Sequence, residues 1–261
     1  IRRSGVPVRE DFKGPADLAR LVIQDFTEFI EREFPDGARD AIEQERIEHE
    51  AFAEQLCGVY VGRDAYNRAL DAHVIGDGPA LVVVGEAGVG KSALLANWAR
   101  RHQEAHPATP ILMHFVGATP ESTDWSAMLR RVLTELGQLL NLSLKIPAER
   151  DALRVAFANA LHRTRSIGPL ILVLDSLSQL EDRDGAPDMV WLPSEIPANV
   201  RVIVSTLPGR ALAALTERGW PTLQVEPLLP PERRELLTEQ LRRSGRKLDD
   251  ATIARVIQHS S

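Results

Sequence analysis

Ala80-Leu81-Val82-Val83-Val84-Gly85-Glu86-Ala87-Gly88-Val89-Gly90-Lys91-Ser92 decides the fold of this 261-residue chain. Four apolar residues, Leu81 to Val84, run straight into Gly85, and Gly90-Lys91-Ser92 completes a G-x-x-x-x-G-K-[ST] pattern. That pattern is a phosphate loop, placed between a buried strand and a helix as its mechanism requires. Gly85, Gly88 and Gly90 let the backbone curl so that N–H groups from Glu86, Ala87, Val89 and on to Ala93 can face an anion. The helix opening at Lys91 adds the positive end of its dipole. Lys91 is expected to reach the β- and γ-phosphates, and the Ser92 hydroxyl to ligate magnesium. The competing reading is a glycine-rich turn that matches by accident; the flanking strand and helix weigh against it.

Working outward, the pattern alternates. A helix is expected over Ser92–His102 and a strand over Ile111–Val116. Asp124 can cap a helix carrying Trp125, Met128, Leu129, Val132, Leu133, Leu136 and Leu140. Another helix starts at about Glu149. Leu170–Leu174 is a continuous apolar strand of the kind buried on both faces, as is Val200–Val204, with a shorter last strand at Leu223–Val225. Strands separated by helices predict an α/β fold, a parallel sheet flanked by helices. Ahead of the loop, residues 15–34 have helical spacing and 38–57 read as a more solvated helix or linker. A short helix follows near Asp64–His73. Beyond Pro227 a helical stretch runs to about Arg243, and another covers Asp249–Gln258. The nucleotide-binding domain is placed at 58–226, with helical segments at 1–57 and 227–261.

A phosphate loop needs a carboxylate at the end of a neighbouring apolar strand to steady the magnesium water shell. Leu170-Ile171-Leu172-Val173-Leu174-Asp175 supplies it, in the crevice where α/β sheets bind ligands. The alternative for Asp175 is a loop or cap aspartate. Ser178 and Gln179 then stand where many such enzymes place an acid that activates water. Neither is a base near neutral pH, although an amide can orient an attacking water. Glu181 and Asp182 could substitute or be solvated loop charges. Slow hydrolysis is the expectation. Thr206 and Ser205, ending the next strand, could sense the γ-phosphate or close strand-end hydrogen bonds. Arg210 reads as a surface helix arginine before it reads as a phosphate ligand.

Net charge is −6, with 44% hydrophobic and 26% charged residues, which suits a globular protein and offers no phosphate-neutralising surface for nucleic acid. Arginine pairs such as Arg130-Arg131 read as solvated helix faces. A single cysteine, Cys57, fits a reducing, cytoplasmic setting and a small apolar filler. No apolar run approaches a membrane span and no signal peptide opens the chain. The histidines lack metal-ligand spacing, and the four tryptophans read as anchors. Ile1 at the start, and a helical pattern cut short near Gln258, suggest a piece of a longer polypeptide.

The series Leu174-Asp175-Ser176-Leu177-Ser178-Gln179-Leu180-Glu181-Asp182, Trp191-Leu192-Pro193 and Val202-Ile203-Val204-Ser205-Thr206-Leu207-Pro208-Gly209 resembles the NACHT branch of the STAND class of P-loop NTPases. His114-Phe115-Val116-Gly117 and Val225-Glu226-Pro227-Leu228 add to a likeness covering roughly residues 58–245. It looks like the modules of nephrocystin-like and telomerase-associated proteins and their bacterial multidomain relatives. In that family the segment ahead of the phosphate loop packs on the adenine base, which Val61-Gly62-Arg63 matches. The resemblance also implies that the helical segment after Pro227 folds over the nucleotide. The resemblance implies ATP or ADP with Mg2+, an ADP-bound closed state, and exchange that releases homo-oligomers. It also implies effector and sensor domains in the same chain, the tail of the effector at 1–57, and a role in bacterial antiviral defence. Lys91, Asp175 and Gln179 would carry the chemistry. Two departures point to binding without efficient catalysis: Ser178 and Gln179 replace the usual acidic pair, and Leu207 replaces an arginine. The other readings are a nucleotide-holding scaffold that does not hydrolyse, and a small-molecule kinase, which lacks an arginine-rich lid here.

Overall fold

The computed structural model describes residues 14, 21–22, 41–78, 80–166 and 168–259. Its contacts divide into units 1–44 and 45–261. The helix expected over 15–34 lies outside the described residues, apart from 21–22, which are helical. The larger unit carries, in order, α1 (Ala41–Leu56, which begins in the smaller unit), α2 (Asp64–Ile75), β1 (Ala80–Val84), α3 (Lys91–Ala105), β2 (Ile111–Phe115), α4 (Trp125–Leu139) and α5 (Arg150–Arg163). Then come β3 (Leu170–Asp175), β4 (Val200–Thr206), α6 (Arg210–Glu217), β5 (Thr222–Gln224), α7 (Pro230–Arg243) and α8 (Asp250–His259).

The strands form one sheet in the order β2-β3-β4-β1-β5, every pair parallel. Their side chains alternate faces, and the apolar positions divide accordingly. Ala80, Val82, Leu172, Leu174, Val202 and Val204 join the core under α4 and α5, with Trp125, Leu129, Leu133 and Phe157. Leu81, Val83, Ile171, Val173 and Ile203 join the opposite core under α2 and α3, with Leu70, Leu94 and Trp98. Runs such as Leu170–Leu174 are apolar at every position because both faces are covered. The α/β fold with helices on both sides is therefore as expected, and all four tryptophans are buried.

Local chemistry sets the element ends. The Asp124 carboxylate accepts the Ser126 N–H at 2.7 Å, and Glu149 accepts the Asp151 and Ala152 amides. The stretch after Pro227 is not helical at once. The helix begins at Pro230-Pro231, where proline's missing N–H costs nothing, and Glu232 accepts the Leu229 N–H.

Helix α1 is solvated as expected apart from one residue, and one further solvated reading is corrected. Helix α1 carries His49, 2% exposed, whose Nδ1 accepts the Phe115 N–H at 3.1 Å. Phe115 lies on β2, the edge strand among the described residues, so this imidazole satisfies an amide that no strand described beside it reaches. Arg131 is 4% exposed rather than on a helix surface. It donates to the Met113 carbonyl and to His114 Nδ1, and pairs with Glu135 at 2.7 Å. These contacts offset much of the cost of burying the guanidinium, although its Nε has no hydrogen-bond partner among the described residues.

Candidate nucleotide site

The sheet order places β4 between β1 and β3, so the loop after β1 and the carboxylate ending β3 flank the end of β4. Val83 and Val84 lie opposite Ser205 and Thr206, and Leu174 opposite Val204. In the phosphate loop Glu86, Ala87 and Gly88 are exposed. Gly88 and Gly90 have φ of +78° and +91°, and a Cβ on either would meet nothing within 4 Å. Side chains are excluded there by backbone geometry, which leaves the amides accessible. Gly85 is glycine for another reason: a Cβ would stand 2.5 Å from the Val225 carbonyl, where the segment leading out of β5 crosses the loop.

Lys91, the first residue of α3, is 8% exposed, and its ammonium donates to the Gly85 and Glu86 carbonyls at 2.7 and 2.9 Å. Burial pulls its pKa down, opposed by the Asp175 and Glu86 carboxylates. Asp175 is 1% exposed. Its Oδ1 accepts the Ser205 hydroxyl and its Oδ2 the Ser176 hydroxyl at 3.0 Å, while the Ser176 N–H donates to Ser205 Oγ at 2.8 Å. Ser176 holds φ of +62° to close this ring of bonds.

Of the strand-end hydroxyls, Ser205 is the one joined to Asp175. Thr206, fully buried, donates to the Leu207 carbonyl at 3.2 Å. Ser178 and Gln179 are exposed, and the Gln179 amide oxygen lies where a Cβ on Gly117 would be. Glu181 accepts from Thr123 and pairs with Arg183. Asp182 and Asp188 hold Arg210. Both acids are thus loop charges engaged elsewhere, and Arg210 is a surface helix residue.

A cavity of about 540 Å³ lies between the loop residues Glu86–Val89 and the C-terminal helices, lined there by Pro227, Leu228, Leu237 and Ile257 among others. It is within the usual size range of small-molecule sites. Pro227 thus faces the same cavity as the loop. Val61 instead lines a separate cleft of about 520 Å³ with Glu235 and Thr238 of α7. Exposed Gly62 approaches Glu232, and buried Arg63 donates to the Val89 carbonyl at 2.8 Å. Leu237 and Ile257 escaped the sequence reading; the only signal was the apolar spacing of Ile253, Val256 and Ile257 on α8.

Among the described residues no group of three or more His, Cys, Asp or Glu is placed to hold a metal. Ser92 and Asp175 offer oxygen donors only, a set suited to Mg2+, which keeps several waters and takes further ligands from phosphate.

The AAA ATPase domain family matches residues 60–204, more than half of the chain, and the chain belongs to that family. It is 32% identical to nephrocystin-3 of Mus musculus over 262 residues, covering 92% of this chain and 20% of that protein. NACHT and WD repeat domain-containing protein 2 of Mus musculus is 29% identical over 187 residues, covering 67% and 11%. A TPR repeat-containing protein of Dictyostelium discoideum is 23% identical over 308 residues, covering 92% and 18%. The chain thus spans about a fifth or less of the length of these relatives. Among solved structures, the Walker-type ATPase of Pyrococcus abyssi superposes with a TM-score of 0.52 at 13% identity, covering 76% of this chain and 63% of that one. The Aeropyrum pernix ORC1 protein, solved in complex with DNA, gives 0.52 at 19% identity, covering 72% and 51%. These two show the P-loop NTPase fold. Among the described residues no helix is long and apolar enough to cross a membrane.

Proposed function

We propose that this AAA ATPase domain is a nucleotide-controlled switch of the STAND/NACHT type, which binds Mg·ATP at Gly85–Ser92 and hydrolyses it slowly. The observation that carries the proposal is the cavity shared by the loop and the C-terminal helices. A nucleotide whose phosphates rest on Glu86–Val89 is in reach of Pro227, Leu228 and Leu237. Its affinity therefore depends on where those helices sit. A ligand shifts a conformational equilibrium only through such a difference in affinity.

In this reading the loop amides and Lys91 take the phosphates, exchanging the ammonium's present bonds to Gly85 and Glu86 for phosphate oxygens. Ser92 and Asp175 hold Mg2+, which when bound neutralises charge on the β- and γ-phosphates. Ser205 and Ser176 fix the Asp175 carboxylate in orientation. Gln179 positions water without taking its proton, so turnover stays below about 10 per second, the median enzyme value. Release of the C-terminal helices in the ATP state would expose the surface for self-association, and neighbouring domains of a longer chain would supply trigger and output. A binding-only scaffold is the second reading, favoured by the absence of an acid at Ser178 and Gln179.

The test is the nucleotide carried by the purified full-length protein. Bound ADP together with slow phosphate release supports the switch. Bound ATP that never turns over supports the scaffold. Protein that neither carries nor binds a nucleotide contradicts both.

A further inference from the structure

We infer that Arg63 is a positioning residue for the phosphate loop, acting on the triphosphate end of a bound nucleotide rather than on its base. The inference rests on the nucleotide reading above and gives the residue a specific part in it. Arg63 precedes α2 with φ of +65°, a conformation that costs a non-glycine residue energy unless its surroundings hold it there. Its side chain is 7% exposed, and its Nη2 donates to the Val89 carbonyl, 26 positions away, at 2.8 Å.

That carbonyl matters because of the peptide it belongs to. The Val89–Gly90 bond is planar and trans, so its C=O and N–H point in opposite directions. Holding the Val89 oxygen toward Arg63 turns the Gly90 N–H the other way, away from the guanidinium. The Gly90 carbonyl is held separately by the Leu94 N–H at 2.9 Å, but with no side chain at Gly90 sterics alone leave the orientation of the Val89–Gly90 peptide less restricted. The arginine fixes that peptide's orientation before any ligand arrives, and preorganised donors bind anions without a reorganisation cost.

The guanidinium is itself held. It lies 5.3 Å from the Tyr66 ring centroid, and the Tyr66 hydroxyl accepts the Glu226 N–H at 3.1 Å, one residue before Pro227. One side chain therefore touches the loop and, through Tyr66, the start of the segment that leads to α7. Its remaining Nη1 is buried without a partner among the described residues.

The test compares two ligands that share phosphates and differ in the base. Calorimetric titrations of full-length wild type and Arg63→Ala are run with Mg·ATP and with inorganic tripolyphosphate. Loss of a charge-assisted hydrogen bond that sets the loop predicts about tenfold weaker binding of both ligands, by matching factors. Arg63→Lys, which keeps a cationic N–H donor without the planar fork, should recover part of each loss equally, and it replaces the alanine variant if that one fails to fold. A loss confined to ATP, with tripolyphosphate unchanged, assigns Arg63 to the base and overturns the inference. So does unchanged binding of both. Wild-type protein that binds neither ligand sinks the nucleotide reading itself, a result distinct from either.

Discussion

The loop after β1 and the loop after β3 leave the same end of the sheet, yet they satisfy their polar groups in opposite ways. From Glu86 to Gly88 the first is exposed, and Gly88 and Gly90 hold positive φ angles that carry no side chain over the backbone. The second begins at a carboxylate that is fully buried and closed upon itself: both Asp175 oxygens accept serine hydroxyls, and the same Ser205 oxygen accepts the Ser176 N–H. In the proposed reading a ligand completes the first loop; the second is already complete. The difference favours the proposal of a site furnished for holding a phosphate chain and only thinly for attacking it, since no acid follows Asp175 until Glu181.

The largest expected effect comes from the open loop. Lys91→Ala should lower the affinity for Mg·ATP by at least about a hundredfold, the loss of a charged bond in a desolvated site. Nucleotide content of the purified variant reads it, and content equal to wild type would erase the contrast between the loops. Next, Gln179→Glu puts a carboxylate in the place of the amide with almost no change of shape. General-base catalysis is worth about 10² or more, so the single-turnover rate should rise by about that factor. An unchanged rate would mean that the attacking water is not held at this residue.

Smaller is the effect of opening the closed loop. Ser205→Ala frees Asp175 Oδ1, and residues that orient a metal ligand typically govern about 10-fold to 100-fold in metal affinity. The Mg2+ concentration needed for half-maximal nucleotide binding should rise by about tenfold, with binding in excess chelator unchanged. Equal losses with and without Mg2+ would show that Ser205 merely supports the fold.

The smallest effect lies at the far edge of the sheet. Burial, and then the Arg131 charge, lower His49 to about 3 from an ordinary 6.5, and burial holds His114 well down too. Below 6.5 the unfolded chain takes up protons that the folded one refuses. Stability is therefore full above that pH and falls as pH drops from 6.5 toward 3. The urea midpoint should fall between pH 7.5 and 5, and fall less in His49→Gln, whose side-chain oxygen can still accept the Phe115 N–H. Equal falls in the two proteins would remove His49 from the account.

Much of this was readable in the chain because the decisive features are local. A strand, a glycine-spaced turn and a helix adjoin in sequence, and Asp175 announces itself by ending an apolar run. What stayed hidden depends on neighbours distant in sequence. Ser205 and Thr206 could not be told apart until β4 was set beside β3 in register. His49 sits in a helix rich in Glu and Arg, and nothing in that composition names its partner 66 residues on. Arg131 looks like half of an exposed pair, and only the packing of α4 on β2 brings it under cover. The phosphate-loop side of Arg63 was masked by its position in a segment matched to the base.

The most direct test of the central claim is a calorimetric titration of the full-length protein with Mg·ATP, repeated on Lys91→Ala. The account predicts one nucleotide bound per chain by the wild type and heat too weak to fit for the variant. No heat from the wild type, or the same isotherm from both proteins, would contradict it.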